Sequence, residues 1–194
     1  MEFTNDWFGA TGRYIWDKIL PQLGPKRILE IGSYEGRSAC FLIEKLSGPL
    51  EIHCVDTWEG GAEHKRIDMS LVKRRFDSNT QATIEKSKNE VKLKAHVGRS
   101  DVILSQMQVE YKDYFDFIYI DGSHVAADVL CDAVLAFRLL RSGGVMCFDD
   151  YLWRDEAADP INCPKVAIDA FTLIYCKQLE VMALPPTQLF VEKL

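Results

Sequence analysis

The stretch Ile28–Gly36, ILEIGSYEG, decides the fold. The run before it, Arg27 to Ile31 (RILEI), is short and apolar and predicts a buried strand. Glycines at 32 and 36 follow, and then Ser38, Phe41, Leu42 and Leu46 trace a helical stretch. A parallel strand, a glycine turn and a helix in that order make a ligand-binding corner. The glycines let a ligand approach the backbone, and the N-terminus of the helix is partly positive. The spacing is GxxxG and not the GxGxxG of dinucleotide binders. Glu30, at the strand end, would repel a pyrophosphate and suits a ligand that carries an ammonium group.

Working outward, further strands are predicted at Leu50 to Val55 (LEIHCV), Val91 to Val97, Phe115 to Ile120 (FDFIYI) and Val145 to Phe148. Helical spacing fills Met69 to Ile84, with Leu71, Val72, Phe76 and Thr80 inward. It recurs over Val125 to Leu140, with Ser142-Gly143-Gly144 as the stop. Alternating strands and helices imply a parallel sheet covered on both faces. Ala167 to Tyr175 is a last helix, and Gln178 to Ala183 and Gln188 to Glu192 are two more strands. They flank Leu184-Pro185-Pro186-Thr187, too short a link for a crossover, so they form an antiparallel hairpin. The expected fold is α/β, Rossmann-like and doubly wound, with a mostly parallel sheet and a C-terminal antiparallel hairpin. No repeat or low-complexity linker divides the chain, so residues 1–194 read as a single domain.

Two groups of acids carry the chemistry. Asp56 ends the second strand, 20 residues after Gly36, where a carboxylate can accept hydrogen bonds from both ribose hydroxyls of an adenosine cofactor. Asp56 or Thr57 could instead cap a helix. Asp121 ends the fourth strand (FIYIDGSH), and Asp149 and Asp150 end the fifth (VMCFDDYLW). Adjacent parallel strands end at one edge, so these three carboxylates converge on the crevice where α/β proteins bind ligands. Close carboxylates repel unless one is protonated or a cation sits between them, and a hard, oxygen-ligated ion such as Mg2+ resolves the repulsion. A solvated turn is the competing reading for Asp149-Asp150.

With these residues in place, the chain resembles the class I S-adenosylmethionine-dependent methyltransferases. Within them it is similar to the metal-dependent small-molecule O-methyltransferases, of the catechol and caffeoyl-CoA type and the macrocin-type sugar enzymes. The likeness runs from about Leu23 to Trp153. It implies that Glu30, Gly32, Ser33, Tyr34, Gly36 and Ser38 hold the methionine part of the cofactor, and that Asp56 holds its ribose. The segment GRSD (Gly98 to Asp101) falls where the family lies along the adenine, which makes Ser100 and Asp101 contacts. Asp121, Asp149 and Asp150 fill the metal positions, and Asp121 lines the cofactor pocket as well. Aspartate at 150 departs from the catechol pattern and leans toward the sugar-modifying branch. His124 stands where the catechol enzymes place a lysine base. A histidine there could take the acceptor's proton, ligate the metal or touch the substrate. The implied reaction is methyl transfer from S-adenosylmethionine to a hydroxyl of a small molecule, a sugar, phenol or natural product, assisted by Mg2+. Rival readings are a metal-independent methyltransferase acting on nitrogen, carbon or carboxylate, an NAD-dependent oxidoreductase, and a binding module without catalysis.

Composition narrows the remaining options. A net charge of −6 argues against a nucleic-acid partner, since phosphate neutralisation needs a basic surface. The one basic cluster, Lys65, Arg66, Lys73, Arg74 and Arg75, is diluted by Asp68 and Asp77 and reads as a solvated face. No apolar run approaches the roughly 20 residues that span a bilayer. The N-terminus lacks the basic-then-apolar order of a secretory signal, so cytoplasmic residence is expected. Six cysteines occur without a CxxC pair, and Cys40, Cys54, Cys131 and Cys147 lie in apolar stretches as small buried hydrophobes. Trp58 could flank the adenine or line an acceptor pocket, although a packed loop residue is the commoner outcome. The N-terminal aromatics Trp7, Phe8, Tyr14 and Trp16 could cover the active site or only dock the first helix, and docking is the expected role. Homo-oligomerisation is left open.

Overall fold

The computed structural model describes residues 1–61, 64, 65, 67–154 and 159–194. Arg66 of the basic cluster therefore lies outside the described residues. Two helices, α1 (Trp7–Thr11) and α2 (Arg13–Leu23), precede β1 (Arg27–Ile31) and α3 (Arg37–Lys45). Then come β2 (Leu50–Asp56), α4 (Met69–Lys86), β3 (Val91–Val97), α5 (Ser100–Met107), β4 (Phe115–Ile120), α6 (Ala126–Leu139) and β5 (Leu140–Phe148). The chain closes with α7 (Pro164–Ile174), β6 (Leu179–Val181) and β7 (Leu189–Lys193).

These strands form one seven-stranded sheet in the order β3-β2-β1-β4-β5-β7-β6. β1 to β5 pair in parallel, while β7 runs antiparallel to both β5 and β6. Strand alternation divides the core into two layers. Ile28, Ile52, Phe117, Tyr119 and Phe190 face α2, α3 and α4, and Leu29, Ile31, Ile118, Met146 and Phe148 face α5, α6 and α7. Both faces are apolar and covered, as a sheet with a parallel centre requires. The order reverses between β1 and β4, so the crevice at their carboxyl ends is the topological switch point.

Four expectations need correction. Ser142-Gly143-Gly144 does not stop α6. The helix gives way at Leu140, which already pairs with Phe115, and the register then jumps to Phe117–Val145. The glycines form an irregular extra stretch inside β5, where Gly143 takes φ 68° and Arg141 reaches Asp116. Leu71 is exposed rather than inward; Asn79 and Thr83 join Val72, Phe76 and Thr80 on the buried face of α4, because the neighbouring surface is the polar N-terminal segment. Cys131 is exposed on the outer side of α6, whereas Cys40, Cys54 and Cys147 are buried. Phe8 and Trp16 dock as expected, but Trp7 and Tyr14 stay exposed. Among the described residues no helix is long and apolar enough to cross a membrane.

Candidate functional site

The site is built where the strands end. Backbone hydrogen bonds continue the ladders one residue past the strands: Gly32 N–H to Val55 O, Asp121 N–H to Ile31 O and Asp149 N–H to Ile120 O, at 2.8–2.9 Å. The sheet therefore sets the relative height of each terminal acid. Gly32 has φ 86°, and a Cβ there would lie 2.0 Å from the carbonyl oxygen of Asp121. Only glycine lets the first loop press against the end of β4. Gly36, at φ 78°, opens α3, and Tyr34 between them is held at φ 47°, a conformation non-glycine residues rarely adopt.

Glu30 is fully buried beneath this loop. Its carboxylate accepts from the Ser33 hydroxyl at 2.6 Å and from the Ser38 hydroxyl. Burial raises its pKa, and the two hydroxyls counter part of that rise. Asp56 accepts from the backbone N–H groups of Ser33 and Tyr34, both at 2.9 Å, and of Trp58 at 2.7 Å. It thus ties the glycine loop to the end of β2. Trp58 is buried against Phe76, and its indole N–H donates to the carbonyl of Tyr34 at 2.9 Å, so it braces the loop from behind. Thr57 accepts from the N–H of Glu59. Ser100 begins α5, and Asp101 on its first turn pairs with Arg99 at 3.1 Å on the surface.

A narrow cavity of about 50 Å³ lies over the loop, lined among others by Phe3, Trp7, Tyr34, Arg37 and Asp121. The N-terminal segment roofs it. The N–H and hydroxyl of Thr4 donate to the two carboxylate oxygens of Glu35 at 2.7 and 2.8 Å. Trp7 packs on Tyr34 with ring centres 5.2 Å apart, and Tyr34 stacks on His64 at 5.3 Å.

Across the crevice Asp121, Asp149 and Asp150 converge, each offering an oxygen within 4.8 Å of the others. Asp150 takes φ 56°, a conformation non-glycine residues rarely adopt, at the turn after β5. Burial together with the charges of Asp149 and Asp150 drives the Asp121 pKa well above the carboxylate range, and burial with Asp150 raises that of Asp149. His124 Nε2 lies 2.9 Å from Asp150 Oδ2, and its ring stacks on Trp153 with centres 4.1 Å apart. This is a hard, all-oxygen donor set with excess negative charge, which fits Mg2+ and fits no soft metal.

Three residues outside the expected set support it. The Tyr119 hydroxyl lies 3.0 Å from Asp121 Oδ2 and 2.9 Å from Asp149 Oδ2. Gln188 donates to Asp149 Oδ1 at 2.9 Å, and Trp16 donates to Gln188 at 2.9 Å. Strand periodicity puts residue 119 on the same side as 121, a signal for Tyr119. Gln188 and Trp16 leave no local trace, since only the pairing of β7 with β5 brings Gln188 opposite Asp149.

Residues 29–151 match the family model described as a methyltransferase domain. No curated protein sequence matches the chain. Solved structures do. An O-methyltransferase from Bacillus cereus, in complex with S-adenosylhomocysteine, aligns over 98% of this chain and 84% of its own with TM-score 0.66 and 22% identity. The O-methyltransferase TomG from Streptomyces achromogenes, involved in tomaymycin synthesis and in complex with S-adenosylmethionine, aligns over 92% of this chain and 78% of its own, with TM-score 0.60 and 17% identity. The MycE methyltransferase of the mycinamycin biosynthetic pathway, in complex with Mg, S-adenosylhomocysteine and mycinamycin VI, aligns over 100% of this chain and 50% of its own, with TM-score 0.61 and 19% identity. The chain belongs to the methyltransferase-domain family, and its fold is that of the class I S-adenosylmethionine-dependent methyltransferases.

Proposed function

We propose that the protein transfers the methyl group of S-adenosylmethionine to a hydroxyl of a small molecule, with Asp121, Asp149 and Asp150 holding a divalent cation, Mg2+ by the chemistry of its ligands. The observation that carries this reading is the convergence of three carboxylates, within 4.8 Å, on the same sheet edge as the glycine loop and Asp56. A cation held by Asp121, Asp149 and Asp150 would supply Lewis acidity toward the acceptor hydroxyl. The MycE methyltransferase, whose complex contains Mg, S-adenosylhomocysteine and mycinamycin VI, supports the assignment.

The chain's own residues do the rest. Glu30, buried and held by Ser33 and Ser38, places negative charge beneath the loop, where the methionine ammonium of the donor fits. Gly32 and Gly36 let that part of the donor approach the backbone, with Tyr34 beside it. Asp56 takes a ribose hydroxyl with the one lone pair its three loop contacts leave on Oδ1, since a carboxylate offers about four. Thr57, Ser100 and Asp101 complete the adenosine side, while Trp58, packed on Phe76 and bonded to the Tyr34 carbonyl, supports the loop from behind and does not flank the adenine. In the transfer a carbon–oxygen bond forms as the carbon–sulfur bond of the sulfonium breaks, and the hydroxyl proton goes to a base. His124, oriented by Asp150 and by the Trp153 ring, is that base. Phenols, sugars and other hydroxylated natural products are the acceptor class, and the cytoplasm is the expected setting.

Dialysis against a chelator followed by Mg2+ addition tests the reading. Methylation of a hydroxyl acceptor is lost on chelation and returns with Mg2+. Transfer that is indifferent to both treatments rules out the metal-assisted mechanism. Calorimetry with S-adenosylhomocysteine and NAD in parallel is expected to give binding of the first alone, and binding of NAD would favour an oxidoreductase.

A further inference from the structure

Behind the acidic cluster runs a buried polar chain that the reaction does not use directly. Trp16, Tyr119 and Gln188 are 0%, 0% and 1% exposed, and Asp149 is 8% exposed. Buried polar groups are hydrogen-bonded because an unpaired one is costly, and here the pairing also has a direction. The indole of Trp16 can only donate. Its 2.9 Å contact therefore holds the amide oxygen of Gln188, and the amide nitrogen must face the other way. That nitrogen meets Asp149 Oδ1 at 2.9 Å. On the other oxygen, Asp149 Oδ2, sits the Tyr119 hydroxyl, which lies equally close to Asp121 Oδ2. One hydroxyl proton thus spans two carboxylates, and each oxygen of Asp149 has one partner from behind. The lone pairs that remain point to the crevice.

Resting on the metal reading above, we propose that Trp16 and Gln188 are positioning residues for the cation: together they lock the rotation of the Asp149 carboxylate so that it presents a free lone pair beside Asp121 and Asp150. Their place in the chain sharpens the point. Trp16 lies in α2 and Gln188 immediately before β7, both outside the matched segment 29–151. The two ends of the chain, brought together across the sheet, supply the layer that orients a ligand carried by the middle. Partners one bond removed from a metal typically set its affinity by about 10–100-fold.

The test is calorimetric titration of MnCl2 into protein saturated with S-adenosylhomocysteine, for wild type, Gln188→Leu and Trp16→Phe. S-adenosylhomocysteine is titrated separately, and melting is followed for each. Gln188→Leu keeps the volume and removes the bond; it weakens Mn2+ binding by about tenfold or more. Trp16→Phe keeps an aromatic ring but frees the amide of Gln188 to turn over, and weakens it less, by about threefold. Affinity for S-adenosylhomocysteine changes less than about twofold in both. Unchanged Mn2+ affinity in folded Gln188→Leu overturns the proposal, and so does an equal loss of Mn2+ and S-adenosylhomocysteine binding, which marks a purely structural role. Should Gln188→Leu not fold, Trp16→Phe decides between the same outcomes. A wild type that takes no Mn2+ refutes the metal reading itself, a result distinct from either of these.

Discussion

Two aspartates mark the two ends of β4, Asp116 near its start and Asp121 just past its last residue, and their surroundings are opposite. Asp116 accepts from the backbone N–H groups of Lys26 and Arg27 at 2.9 and 2.8 Å, from the Arg27 guanidinium at 2.9 Å and from Arg141 at 2.7 Å. Burial alone would raise its pKa, but these four bonds outweigh burial and hold it at about 2. Asp121 meets two more carboxylates and one tyrosine hydroxyl, and burial and their charges push its pKa far up. The protein pairs the first acid entirely from within. It leaves the second group of acids short of positive charge, and that is the usual mark of a functional site. Asp56 stands between the two cases, since backbone amides occupy it without any cation.

Asparagine at each end of β4 makes the same chemical change and separates the two roles. Asp121→Asn is expected to lower turnover by about 100-fold or more, because the cation's charge stabilisation is worth several kcal/mol. Its metal-free melting temperature holds or rises, because the repulsion with Asp149 and Asp150 is relieved. Normal turnover, or a falling melting temperature, would break the contrast.

Asp116→Asn is expected to do the reverse, leaving turnover intact and costing about 2 kcal/mol, the scale of charged hydrogen bonds. That corresponds to a melting temperature lower by about 4–8 °C for a chain of this size. The pH dependence has a definite sign. The folded pKa of about 2 lies below the unfolded value of about 3.9, so this contribution is fully present above pH ~4 and is lost as pH falls toward 2. Urea melts from pH 5 to 2 should show a shallower acid slope for Asp116→Asn than for wild type.

Asp56→Ala tests the intermediate case. About a tenfold loss of S-adenosylhomocysteine affinity is expected, from the ribose contact and the loosened loop together, at the lower end of what removing a charged hydrogen-bonding group costs. Calorimetry that gives unchanged affinity would remove Asp56 from the cofactor site.

How much of this was legible in the chain follows from where each signal lives. ILEIGSYEG, the acid at 56 and the acids at 121, 149 and 150 are local patterns at strand ends, and strand ends are readable because apolar runs stop there. The hairpin was legible from the short proline link. The irregular start of β5 was not, since glycines after a helix look like a stop whether or not the next residues already pair with a neighbouring strand. Leu71 misled for a related reason: its residue type says apolar, but it is exposed, and α4 turns Asn79 and Thr83 toward the N-terminal segment instead.

Linear order alone was enough for the α/β succession, the glycine corner and the set of acids, because each depends on residues within one strand and its loop. Folding in three dimensions settled which groups answer those acids. Arg27 and Arg141 reach Asp116 across two strand neighbours, and Gln188 reaches Asp149 only through the antiparallel pairing of β7 with β5, with Trp16 behind it from the opposite end of the chain. Charge pairing acts through space over a few ångströms, and a few ångströms in this fold join residues more than 170 positions apart.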